Sequence, residues 1–157
     1  MTQQQRNQAI ITTGEGVNGS NLGKYSGQQC KPWVTSVILT ASQNSVQLPA
    51  TETDGYQWNI IPGDSVVQMS SGSYPFSVST LQILQPGWIL QLEENVSFQN
   101  EYKTPGPHTA IVLSISALGV ITLLDSNWVA TDTIGIHSIT LAQFNSYFAR
   151  YTAYEIM

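Results

Sequence analysis

The sequence contains few charged side chains, and those present are mostly acidic. Asp, Glu, Lys and Arg together make up 10% of the 157 residues, and the formal net charge at pH 7 is -5. The five Lys and Arg residues form no cluster, so the basic patch by which proteins bind nucleic acid is missing. The same scarcity excludes an anionic membrane surface as a partner.

Long apolar runs are missing as well. No uninterrupted apolar segment approaches the roughly 20 residues that a membrane-spanning helix needs, so we expect no membrane insertion. The first residues, MTQQQRNQAIITTGEG, lack a basic stretch followed by an apolar run, and no signal peptide is expected. The length suits one domain, residues 1–157, large enough to bury a core without disulfides or metals.

The scarcity of cysteine and histidine narrows the chemistry further. Cys30 is the single cysteine, which excludes an internal disulfide and a cysteine-rich zinc site. The two histidines, His108 and His137, are far apart in the sequence and outside any ligand-spaced motif, so we expect no metal. One unpaired cysteine fits a reduced compartment or a functional thiol in an exported protein. None of these residues requires a cofactor.

The spacing of apolar residues predicts two helices near the N-terminus. The first covers residues 3–13, and the second is an amphipathic helix over residues 28–42. Pro32 is tolerated only in the first turn of a helix, which places Cys30 at the helix N-terminus. At that position the helix dipole and the free N–H groups lower the pKa of a thiol.

The second half of the chain is dominated by short apolar runs, which predict strands. The runs are residues 88–92, a hairpin of 110–115 and 120–124, residues 134–139, and residues 151–156, with a helix at 141–150 before the last strand. Residues 43–85 are turn-rich and weakly patterned, and residues 93–107 are predicted to be a loop. Helices first and antiparallel strands afterwards indicate an α+β fold.

The hairpin carries its polar residues at the open end. His108 begins the first strand, and Asp125 and Asn127 follow the second. A turn centred on residues 117 and 118 places position 108 opposite position 127, where paired Cβ atoms are about 4.5–5.5 Å apart. A slip of one residue would turn His108 to the other face of the sheet.

Together these residues match the needs of a thiol nucleophile. Cys30 would attack a carbonyl, and His108 would take the thiol proton and later protonate the leaving amine. Asn127 or Asp125 would orient the imidazole. The structural alternatives are that the cysteine is a small buried hydrophobe, and that the residues from 125 to 127 only form a turn.

Other polar and aromatic residues have secondary roles in this hypothesis. The Cys30 backbone N–H, with Tyr25 or Gln29 as a nearby donor, would stabilise the oxyanion. Trp128 follows the orienting residue and would shield the imidazole. His137 lies in mid-strand with no acidic or amide residue soon after it, so we predict a structural role for it.

Three segments carry a resemblance to a known family: AIITTGEGVNGSNLGKYSGQQCKPWV, PGWILQL and PHTAIVLSISALGVITLLDSNW. In this order the sequence resembles the CHAP and NlpC-type amidohydrolases of the papain-like superfamily. Their pattern is a cysteine on a helix, a strand led by Pro-Gly, a histidine starting an apolar strand, and an acidic-x-Asn element. Gln29 and Trp33 match residues that flank the family's cysteine. Asp125 and Asn127 match its Glu-x-Asn with a shorter acid, and Gly87-Trp88 stands where many relatives have Gly-Asp.

The resemblance covers both ends of the chain but not residues 43–85. It implies a papain-like fold, in which the helix bearing Cys30 packs on a mostly antiparallel sheet. It also implies hydrolysis of an amide bond, most often in peptidoglycan peptides, without a cofactor, by a domain that is secreted, periplasmic or phage-delivered. Two alternatives remain open: an inactive module that binds glycan or peptide, and a transglutaminase-like acyltransferase.

Overall fold

The fold combines four helices and one sheet among the residues described. The structure, a computed structural model, describes residues 1–53, 57–95 and 107–157. Its elements are α1 (Gln3–Glu15), a 3-10 turn (Val17–Gly19), α2 (Cys30–Ala41), β1 (Val66–Ser73), α3 (Val78–Leu81), β2 (Ile89–Glu94), β3 (His108–Ile115), β4 (Ile121–Ser126), β5 (Ile134–Ile139), α4 (Leu141–Tyr147) and β6 (Phe148–Ile156). The strands form an antiparallel sheet in the order β1-β6-β2-β3-β4-β5. The predicted α+β class is confirmed.

Both N-terminal helices form close to where the apolar periodicity places them. Helix α1 begins with a capping box, in which the Thr2 hydroxyl accepts from the Gln5 N–H and the Gln5 side chain accepts from the Thr2 N–H. Helix α2 begins at Cys30, directly after its N-cap residue Gln29. Pro32 therefore lies in the first turn, where its missing N–H costs no helical hydrogen bond.

The structure corrects three of the expected boundaries. The last helix ends at Tyr147 rather than at residue 150, because Phe148 is buried and already pairs with Glu94 in the sheet. Glu93 and Glu94 belong to β2 rather than to a loop, and residues 96–106 of that predicted loop lie outside the described residues. The weakly patterned region 43–85 contributes β1 at one edge of the sheet, and α3.

The sheet has an apolar core on each face. On one face α1 and α2 cover the apolar residues of the central strands; this core includes Ile10, Trp33, Val34, Ile38, Ile89, Ile111, Leu124 and Tyr154. On the other face lie α3 and α4; this core includes Leu81, Leu90, Leu92, Val112, Leu123, Trp128, Phe144 and Tyr151. Since both faces are covered, residues 89–92, 108–112 and 123–126 of the central strands are buried without interruption, unlike the alternating residues of a half-exposed strand.

A β-bulge in the central hairpin decides which face His108 occupies. The turn at residues 117–118 forms as predicted, but the register shifts by one between Val112 and Ser114. Beyond the bulge Ile111 pairs with Leu124, and the same register continued places position 108 opposite position 127. His108 itself pairs with Leu92 of β2, so its side chain lies on the face that carries α4.

In the described parts of the chain, every helix is too short or too polar to cross a membrane.

Candidate active site

The Cys30 thiol lies beside an open cavity at the N-terminus of α2. The residue is partly exposed, and the cavity has a volume of about 650 Å³. Its walls include Lys31 from the same helix, Gln91 of β2, Thr109 of β3, and Trp58. Cys30 therefore lines a space large enough for a substrate, and the backbone N–H of Thr109 in β3 hydrogen-bonds its sulfur.

Several groups stabilise the thiolate form of Cys30. Burial by itself raises the pKa of the thiol, because it disfavours the charged form. A hydrogen bond from His108 and the positive charge of its ring act in the opposite direction, as do the backbone N–H groups of Thr109 and Lys31. Their combined effect is larger, and the pKa of Cys30 falls below its ordinary value.

His108 is the first residue of β3 and is 2% exposed. Its Nε2–H donates to Oδ2 of Asp125 over 2.7 Å, which leaves Nδ1 as the ring nitrogen available to the Cys30 sulfur. Burial acts to lower the pKa of His108, but the charge and hydrogen bond of Asp125, followed by the interaction with Cys30, raise it to about 10. The ring is therefore held as an imidazolium at neutral pH.

Asp125, and not Asn127, is the residue that orients His108. Asp125 is fully buried in β4. Burial acts to raise the pKa of its carboxyl, but the neighbouring histidines have the larger opposite effect, and the pKa lies below its ordinary value. Asn127 lies in a turn with a φ of 74°. Its Oδ1 accepts the backbone N–H of Asp132 at 2.8 Å. This side chain therefore stabilises the turn in which it lies.

The two residues predicted to assist at the oxyanion are placed differently. Gln29 is exposed and lines the cavity next to Cys30. Tyr25 is 72% exposed and forms an isolated bridge with Thr133, away from the residues that line the cavity. The structure therefore does not bring Tyr25 to the thiol, because the loop before α2 turns away from the cavity to pair with the segment that precedes β5.

The loop before α2 is fixed to the strand that carries Asp125. The Ser26 and Ser126 hydroxyls are 2.7 Å apart, and the Ser126 hydroxyl also donates to the Gln28 carbonyl at 2.8 Å. These partly buried contacts link the segment before α2 to the end of β4, the strand that carries Asp125.

Trp128 covers the imidazole, as its position after Asn127 predicts. The Trp128 and His108 ring centroids are 5.0 Å apart, and the indole is 7% exposed. A buried aromatic ring beside the His108–Asp125 pair keeps water from competing for their hydrogen bond.

His137, for which the sequence predicts a structural role, belongs to the same cluster. Its Nε2–H donates to Oδ2 of Asp125 over 2.5 Å, and its ring stacks on Trp128 with a centroid distance of 4.7 Å and an interplanar angle of 2°. Strand alternation could have indicated this, because His137 pairs with Leu123, two residues before Asp125 on the same face.

The cluster is held by hydrogen bonds from two imidazoles to one carboxylate. The potential ligand atoms of His108, Asp125 and His137 lie within 4.8 Å of one another, a proximity that sequence separation had argued against. An ionised carboxylate only accepts hydrogen bonds, so both Nε2 atoms carry protons here. The short N–O contacts are those of charge-assisted hydrogen bonds.

Comparison with known proteins gives a match of fold. No family model and no curated protein matches the sequence. Two crystal structures of Ly7917, one of them with the hydrolyzing product of MDP, match with TM-scores of 0.54 and 0.56 at 14% identity. The match covers 97% and 96% of this chain, and the chain spans 62% of the length of Ly7917.

Proposed function

We propose that this chain is a cysteine amidase or endopeptidase that hydrolyses an amide bond in peptidoglycan peptides or a related peptide, and that its α+β fold is papain-like, of the CHAP and NlpC type. One observation carries the proposal: an accessible Cys30 thiol of lowered pKa faces an imidazole that Asp125 holds from behind. The fold shared with Ly7917, which has been crystallised with the hydrolyzing product of MDP, supports a hydrolytic reaction.

In the first half of the reaction the thiolate replaces the amine. The Cys30 sulfur attacks the carbonyl carbon, a C–S bond forms, and the carbonyl electron pair moves to the oxygen. As the tetrahedral intermediate collapses, the C–N bond breaks and the His108 imidazolium gives its Nδ1 proton to the departing nitrogen. The products are a free amine and a thioester on Cys30, with His108 now neutral.

In the second half water replaces the thiolate. His108 takes one proton from water as the water oxygen attacks the thioester carbon. The C–S bond then breaks, which releases the carboxylic acid and restores the thiolate beside the imidazolium. Asp125 stabilises each imidazolium state by accepting the Nε2–H bond.

The oxyanion of each intermediate forms next to the first turn of α2. N–H groups in that turn have no carbonyl of their own helix to bind, and the Cys30 N–H is therefore available to the oxyanion. Gln29 lines the same cavity and is the side chain placed to supply a second donor.

The activated thiol is tested by alkylation of Cys30 with iodoacetamide at pH 6. An unperturbed thiol has a pKa of about 8.5 and is well under 1% ionised at this pH. We expect the native chain to react at least about tenfold faster than the same chain in denaturant. His108→Gln should reduce the native rate toward the denatured one. A native rate no higher than the denatured control would contradict the proposed mechanism.

The reaction itself is tested by digestion of purified sacculi with mass analysis of the fragments. Hydrolysis adds one water to each cleaved pair of fragments, whereas acyl transfer joins an acyl group to another amine without adding water. We expect hydrolysis by the wild-type chain and none by Cys30→Ala. Transfer products, or equal cleavage by Cys30→Ala, would refute the proposed hydrolase.

A further inference from the structure

A single oxygen atom of Asp125 accepts hydrogen bonds from two imidazoles. Its Oδ2 accepts the Nε2–H of His108 at 2.7 Å and the Nε2–H of His137 at 2.5 Å. Its other oxygen, Oδ1, is buried and has no partner among the described residues. The carboxylate lies in β4 between the strands that carry the two histidines, so both donors converge on one acceptor.

The contact with Asp125 determines which ring nitrogen of His137 is the donor. Because Asp125 is an acceptor, the proton of His137 that faces it is on Nε2. Its Nδ1 is buried with no partner in the described parts of the chain. The hydrogen bond that His137 makes in this cluster is therefore the one from Nε2 to the Asp125 carboxylate.

The position of His137 is fixed by packing. Trp128 stacks on the ring almost in parallel, and the same indole contacts His108. Both imidazoles thus share one carboxylate on one side and one indole on the other. Besides this packing, His137 directs its Nε2–H at Oδ2 of Asp125, the same oxygen that accepts from His108.

We propose that His137 is a positioning residue which acts through Asp125: by donating to the same oxygen it holds the carboxylate in place and limits how strongly His108 retains its proton. This inference rests on the proposed function, because it concerns the base of that reaction. The two donors compete for the electron density of one oxygen, so each weakens the bond of the other. His108 must release its proton to the leaving amine, and a weaker hold makes it a better general acid.

Among the described residues, the titratable and charged groups that face His108 come from four elements. From α2 it faces Cys30, from β4 Asp125, and from β5 His137. From β2 its paired residue is Leu92, and Glu94 lies two residues further on the same face. Removal of the His137 N–H therefore leaves the Asp125 carboxylate as the dominant charge on the Nε2 side of His108.

Two variants separate the N–H donor from the ring that carries it. His137→Phe keeps a flat ring against Trp128 and removes the donor, whereas His137→Gln keeps a donor at about the position of Nε2. The chain has two histidines, so in either variant His108 gives the one imidazole signal in an NMR titration. His137→Asn, whose amide is one methylene too short, is a second variant without the donor that does not depend on the folding of the Phe variant.

We expect the titration of His108 to move upward by about one pH unit in His137→Phe and His137→Asn relative to His137→Gln. The upper inflection of the Cys30 alkylation profile should move with it. Equal titrations in all three variants, or a downward shift without the donor, would overturn the inference. The alkylation rate of the wild-type thiol is measured independently of these variants. A failure of this inference is therefore distinguishable from a failure of the proposed hydrolase.

Discussion

Asp125 and Asn127 lie two positions apart at the end of β4, and by sequence either could orient His108. Their side chains differ in what they can accept and donate: a carboxylate accepts two N–H bonds, whereas an amide also carries donors. In the structure Asp125 is buried among N–H donors, and Asn127 adopts a positive φ that asparagine tolerates. Each residue thus occupies the position that suits its chemistry.

The division of roles between these residues predicts opposite results for two substitutions. Asp125→Asn would reduce amide hydrolysis by about 100-fold or more, because a neutral amide no longer stabilises the imidazolium. Asn127→Gly would leave hydrolysis within about threefold of wild type, since glycine accepts the positive φ. The rates of fragment release from sacculi provide the measurement. Similar losses in both variants would show that Asn127, too, acts on His108.

Trp88, directly before β2, is held by a hydrogen bond to the neighbouring strand. Its indole donates the Nε1–H to Glu155 of β6 at 3.1 Å. The side chain is 6% exposed and belongs to the core on the face that carries α3 and α4. The tryptophan therefore has a packing role at this position.

At the scale of elements, the contact between α1 and the turn before β2 depends on one glycine. Gly87 has a φ of +85°, and a Cβ added there would lie 2.5 Å from Cβ of Asn7 and 2.7 Å from the Asn7 backbone. The obstacle is helix backbone, which cannot move without shifting α1. Gly23 has a similar φ of +79° but nothing within 4 Å of an added Cβ.

These two glycines form a matched pair for a stability test. Gly23→Ala would lower the free energy of unfolding by about 1–2 kcal/mol, the cost of a left-handed conformation for alanine. Gly87→Ala would lower it by roughly 2–5 kcal/mol, because the clash with α1 adds an overpacking cost. Urea denaturation of both variants and wild type gives the values. Equal losses would mean that α1 moves away from Gly87 at no cost.

At the scale of the whole molecule, the stability of the folded chain depends on pH through His108 and Cys30, whose contributions have opposite signs. Below about pH 6.5, the unfolded pKa of histidine, the stabilisation from His108 is fully present, and it is lost as the pH rises toward the folded pKa of about 10. The stabilisation from Cys30 has the opposite sign: with its pKa lowered by folding, it is present above about pH 8.5 and is lost as the pH falls. Between pH 7 and 8 folding therefore takes up a proton on His108, and the lowered pKa of Cys30 offsets that uptake.

This offset predicts that stability depends less on pH in the wild-type chain than in a variant without the thiol. The free energy of unfolding of the wild-type chain should fall less per pH unit from pH 7 to 8 than that of Cys30→Ser. In Cys30→Ser the proton uptake by His108 is no longer offset, and we expect the free energy of unfolding to fall by about 1 kcal/mol per pH unit. Urea titrations at several pH values measure both slopes. A wild-type slope as steep as that of the serine variant would show that the Cys30 thiol is protonated in the folded chain.

Local patterns in the sequence determined the parts of this protein that depend on neighbouring residues. Apolar periodicity and Pro32 placed Cys30 at the start of a helix, and the turn at residues 117–118 placed His108 at the open end of a hairpin. These features follow from backbone sterics and short-range hydrogen bonding, which the order of residues specifies directly.

The tertiary structure determined which side chains from distant parts of the sequence come into contact. The bulge between Val112 and Ser114 fixed the face on which His108 lies, and strand pairing brought His137 to the carboxylate of Asp125. Both central faces are buried, so their apolar sequences carry no alternation from which a register could be read. Contacts between side chains far apart in sequence depend on how the strands pair and bend, and this is set only when the sheet forms between its two layers of helices.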